Sequence, residues 1–238
     1  MNFEYILALI LLLTAYVLGI IFMDKYAANA RAASIIFPMA VFVPYVMLCV
    51  KIFRDVGWQD WNFQNTLPVA NVSPFTFSIM PLLLIMPKKL KKHVYLLISL
   101  LSVGMLLSGV FSCTYNAAIN YKFHFHFLLD YVAHFILSLY GVYLIRSKEA
   151  ELTLKSSLIS GSIIFGVAAV MVILNLIFDT SFFGLSLRGK HNIYNQVLTK
   201  SSYLSAALYF LGLGAVLVMG FAYSKLFDKQ KFRITHNK

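Results

Sequence analysis

His126, Asp130, His134 and Ser138 recur at intervals of four residues in an otherwise apolar stretch. On a helix that spacing puts all four on one face. At a rise of about 1.5 Å per residue, His126 to His134 covers about 12 Å. A carboxylate one turn from an imidazole can hold the ring in one tautomer and raise its basicity. That is the orienter and base of an acyl-transfer site, which also needs a nucleophilic hydroxyl or thiol. The same Asp130–His134 pair equally suits a proton or ligand site in a transporter or receptor. A polar stripe also serves simply to join helices through hydrogen bonds. Three ligands strung along one straight helix converge poorly on an ion, so His126, Asp130 and His134 are not expected to bind metal. The sequence has no phosphate-binding glycine loop, CxxC or HExxH, and no cofactor is expected.

The elements that must carry this stripe are membrane spans. Of 238 residues, 60% are hydrophobic and only 12% charged, against about 25% charged in ordinary soluble domains. Apolar runs of about 20 residues recur along the whole length. The expected fold class is therefore all-α: a polytopic membrane helix bundle of about seven transmembrane helices, forming one integral membrane domain over residues 1–238. The spans are expected at about 4–23, 33–53, 68–87, 94–115, 126–145, 156–178 and 203–226. Pro38 and Pro44 interrupt the second, and Pro68, Pro74 and Pro81 the third, so kinks are expected there. The first run, YILALILLLTAYVLGIIFM, lacks a basic leader and a small-residue cleavage site and is read as a retained span. Cys49 and Cys113 both lie in apolar spans and read as small packing residues.

The net charge of +11 does not point to nucleic acid, because the basic residues sit at the ends of apolar spans. Membrane lipids are the expected partners. With seven spans, the loops on the C-terminal side hold Lys25, Arg31, Lys88, Lys89, Lys91, Lys92, Arg146, Lys148 and Lys155. The C-terminal segment adds five more basic residues. The opposite side is poorer in them, which orients the N-terminus outside and the C-terminus in the cytoplasm of a cell membrane.

In that orientation the stripe descends from the outer surface. Asn71 and Ser73 begin the third span, CTYNAAIN ends the fourth, and Asn175 and Asp179 end the sixth, all at the same level. The inner halves of the spans are mostly plain apolar. A polar cavity at outer-leaflet depth is expected, with His124 and His126 marking its wet rim.

Three stretches extend this reading. LPVANVSPF opens a span. DYVAHFILSLYGVY carries an intramembrane His134 with Tyr143 nine residues on. NLIFDTSFFGL ends in an aromatic pair. Together they resemble the YwaF-like bacterial integral membrane proteins. That resemblance implies a bundle of six or seven helices and a distant relation to eukaryotic membrane enzymes that move or hydrolyse fatty acyl groups. Those enzymes use an intramembrane His with a Cys or Thr nucleophile, which makes His134 the base. The segment matching the family's Cys contains none here, leaving Thr66 or Ser73 as the substitute. The expected activity is a lipid acyl hydrolase or acyltransferase with Asp130 as orienter and Asn71 or Asn175 stabilising the oxyanion. His126 and Tyr143 complete the expected substrate contacts.

Overall fold

A computed structural model describes residues 2–26, 30–60, 72–119, 125–178, 182–184 and 202–228. The regular elements among them are helices: α1 (Phe3–Tyr26), α2 (Ala30–Asp60), α3 (Val72–Ile79), α4 (Leu82–Ile85), α5 (Lys88–Ile119), α6 (Phe125–Arg146), α7 (Leu154–Phe178) and α8 (Ser202–Asp228). A short 3-10 turn, Phe182–Gly184, follows α7. Among the described residues six helices are long and apolar enough to cross a membrane, so the chain is a multi-pass membrane protein with an all-α bundle fold. They correspond to six of the seven expected spans.

The third expected span, 68–87, is described from Val72 onward. Its described part, Val72–Leu84, is apolar helix interrupted near Pro81. Pro81 has no N–H to continue the helix. The break is closed by tight i→i+3 bonds instead: Met80 N–H to the Phe77 carbonyl, Leu83 to Met80 and Leu84 to Pro81. By contrast α2 remains helical through both Pro38 and Pro44.

α5 and α6 form the centre of the bundle, and α2, α8, α7 and α1 pack around them. α5 is buried without interruption from Val94 to Ser102, as expected of a helix apolar on all sides. Lipid tails are as apolar as leucine, so association in a bilayer depends on close packing and hydrogen bonds. Both are present. Gly141 of α6 lies against Ser102 and the Ile98 carbonyl of α5, and Gly220 of α8 lies against the Leu100 carbonyl. The Ser224 hydroxyl donates to the Ser99 carbonyl over 3.3 Å. Tyr16 of α1 joins Ser138 of α6 at 2.9 Å and also meets the Tyr223 hydroxyl of α8. The buried Arg146 guanidinium donates to the Ile20 carbonyl near the end of α1.

At the other end of the bundle Asn175 holds the turn after α7. Its amide nitrogen donates to the Phe182 carbonyl at 2.9 Å, and its amide oxygen accepts the Phe182 N–H at 2.7 Å. This clamp fixes Phe183 at φ 57 with its ring fully buried, a left-handed conformation costly for a bulky residue. The ring packs edge-on against Phe75 of α3. Asn175→Leu strands two backbone groups of Phe182 and is expected to cost about 1–3 kcal/mol, read as a lower unfolding temperature of the detergent-solubilised protein.

Candidate functional site

The antiparallel pairing of α5 and α6 brings two polar stripes together. Ser108, Ser112 and Asn116 are spaced by four on α5 and face the start of α6. Asn116 donates its amide to the Tyr131 hydroxyl at 2.7 Å and to the Ser112 carbonyl at 2.9 Å. One turn further into α6, His134 lies opposite Ser108. The helices approach closely there because Gly109 has no side chain. A Cβ on Gly109 would stand 3.2 Å from the His134 Cβ and 3.1 Å from the Phe135 ring.

His134 is 4% exposed. Its Nδ1 lies 2.8 Å from the Asp130 backbone carbonyl and 3.4 Å from the Asp130 carboxylate. A carbonyl oxygen only accepts, so Nδ1 carries the hydrogen and donates it. Nε2 of the neutral ring then holds a lone pair. That nitrogen faces the Ser108 hydroxyl at 3.3 Å. The Phe77 ring of α3 stands edge-on to the imidazole, 5.0 Å between centroids at 88°, and fixes its plane. Asp130 is half-buried, its side chain 29% exposed. The line Ser108–His134–Asp130 thus sets a hydroxyl, an imidazole and a carboxylate in succession. The Oγ–Nε2 distance is slightly beyond the 2.6–3.2 Å reach of direct proton transfer, a looseness common in unliganded sites.

The expected site residues fall in several places. Asp130 and His134 come together as expected. Ser138 continues the stripe but is committed to Tyr16. Ser73 begins α3 and lines a cavity of about 320 Å³ beside this site. Thr66 and Asn71 lie outside the described residues, as does the side chain of His126. Asn175 is engaged in the Phe182 clamp. Tyr143 is buried against Phe37, about 13 Å along α6 from His134, and does not join the site. Ser108 was not singled out in the sequence. Its signal was the Ser108/Ser112/Asn116 spacing, together with the small neighbour Gly109.

Cys113 does not take the nucleophile's place. Its thiol donates to the Tyr5 carbonyl at 3.1 Å, inside a cluster with Tyr131 and Ala117 that closes the bundle beyond the site. Among the described residues no group of His, Cys, Asp and Glu could hold a metal ion.

No curated protein and no solved structure matches the chain. The family match does not carry the YwaF-like name that the sequence motifs resemble. The model that matches is that of the TMEM164 family, over residues 1–224, and the chain belongs to this family of membrane proteins.

Proposed function

We propose that the protein is a lipid acyl hydrolase or acyltransferase with Ser108 as nucleophile, His134 as general base and Asp130 as orienter. The observation that carries this reading is the Nε2 lone pair of His134, aimed at a hydroxyl 3.3 Å away by a ring whose other nitrogen is already donating. Ser108 Oγ attacks the carbonyl carbon of an acyl ester and its proton passes to Nε2. The tetrahedral intermediate collapses, and the leaving alcohol takes the proton back. The acyl group remaining on Ser108 is then cleaved by water in a hydrolase, or by the hydroxyl of a second lipid in a transferase. Lys and Arg placement supports a site at outer-leaflet depth in the cell membrane, with the C-terminus cytoplasmic. Membrane lipids are its partners, and nucleic acid is not.

An alkyl fluorophosphonate tests the reading. Its phosphorus is attacked as an acyl carbonyl is, fluoride leaves, and the adduct stays on the nucleophile. The expected result is one adduct, mapped by peptide mass spectrometry to Ser108 and absent from Ser108→Ala. An adduct on Ser73 would keep the chemistry and move the nucleophile. No adduct on any hydroxyl would sink the proposal.

A second reading rests on a different observation. Ser138, Tyr16 and Tyr223 continue the Asp130–His134 stripe as a hydrogen-bonded chain across three helices. Such a chain suits a proton path in a transporter. Proton-coupled uptake abolished by Asp130→Asn, in a protein that takes no fluorophosphonate, would favour it.

A further inference from the structure

The cavity beside the site lies between α5 and α8. Leu101, Gly104 and Met105 form its α5 wall, and Leu208, Gly212 and Val216 run along the facing side of α8. Residues 101, 104, 105 and 108 share one face of α5, so the wall continues directly to Ser108. One end of the cavity is shut. Val216 presses against Gly104 so closely that a Cβ on that glycine would stand 2.6 Å from Val216 Cγ1. One turn further along both helices, Gly220 closes on Leu100. At the other end lie Val72 and Ser73 at the start of α3. The lining is mostly apolar, with Ser73 and Tyr209 its polar residues. It is thus a mostly apolar pocket whose α5 wall comes within one helical turn of the candidate nucleophile.

We infer that this pocket holds the acyl tail of the ester that Ser108 attacks, and that Val216 and Gly212 set the length and bulk it accepts. The inference rests on the acyl-transfer reading above. An attacked carbonyl at Ser108 leaves its chain to run along the continuous face toward Met105, Gly104 and Leu101. A methylene occupies about the volume of a water molecule, ~30 Å³, so 320 Å³ holds on the order of ten carbons. Val216 is the floor such a chain meets. Gly212 is part of the side wall, and a Cβ built there has nothing within 4 Å among the described residues. A larger side chain can therefore start from this wall of the pocket without its β-carbon meeting a described neighbour.

The test is a series of fluorophosphonates with alkyl chains from two to sixteen carbons, scored by the rate of Ser108 labelling in the detergent-solubilised protein. Wild type is expected to label fastest near ten carbons. Each methylene kept out of an apolar site costs roughly fourfold. Gly212→Leu fills about four carbons of space and should lower the decyl-to-ethyl rate ratio about 10²-fold. Val216→Ala should move the optimum to longer chains, and provides an opposite arm if one variant folds poorly. A ratio and optimum unmoved by both variants would overturn the inference.

A photoreactive alkyl diazirine, free of any ester, separates the two claims. It should crosslink to the 208–216 stretch in wild type and in Ser108→Ala, and lose that crosslink in Gly212→Leu. Crosslinking there without fluorophosphonate labelling would remove the catalytic reading and leave an apolar-chain pocket. Labelling of Ser108 with no crosslink at 208–216 would remove the pocket's assignment alone.

Discussion

His134→Ala is expected to slow fluorophosphonate labelling of Ser108 by about 10²–10⁴-fold, the range over which a positioned general base contributes. The hydroxyl remains in place in that variant, but the imidazole that faces it is gone. Asp130→Asn should cost much less, on the order of tenfold, corresponding to one hydrogen bond with a charged group. The reason lies in the two distances at Nδ1. The backbone carbonyl is at 2.8 Å and the carboxylate at 3.4 Å, so the tautomer survives loss of the charge. Labelling rates of the two variants, compared with each protein's elution profile in detergent, check both magnitudes. Equal and large losses in both would show that the carboxylate, not the carbonyl, holds the ring.

The second large effect is structural. Gly220→Ala is expected to destabilise the bundle by about 1–3 kcal/mol or more, the range for overpacking. A Cβ there overlaps the Leu100 carbonyl, which belongs to helix backbone and has no rotamer by which to yield. α8 must then stand off from α5, weakening the Ser224–Ser99 bond and the wall of the cavity. Gly166→Ala is the matched control. It meets nothing within 4 Å among the described residues, and alanine is the better helix former by about 0.5–1 kcal/mol. Melting temperatures in one detergent should therefore fall by several degrees for the first and hold or rise for the second.

The bundle was legible because the bilayer demands long apolar runs, and these mark their own positions. Six coincide with helices, although the helices of the second and fourth spans run one to two turns beyond the expected ends. The break at Pro81 was legible too, since a proline inside an apolar run has no N–H to continue the helix. Asp130 and His134 were legible because ionisable groups are rare at that depth. Ser108 was not, because serine is common in membrane helices and only helix pairing shows which hydroxyl faces the imidazole. The four-residue spacing of Ser108, Ser112 and Asn116 marks a face, but a face does not name its partner. Asn175 shows the converse. It was read as a polar group at the end of a span, yet its amide clamps the Phe182 turn, and no spacing within a single helix predicts a bond to the loop beyond it.

The bond from His134 Nδ1 to the Asp130 carbonyl has one further consequence. Its acceptor belongs to the main chain, so it is the same whichever amino acid occupies position 130. A conventional alanine scan cannot delete it, and would assign the residue at 130 only the carboxylate's smaller share. The proton's location on the ring is thus written into the helical turn itself. It should persist across homologues that share no side chain at that position, provided the turn and the histidine remain.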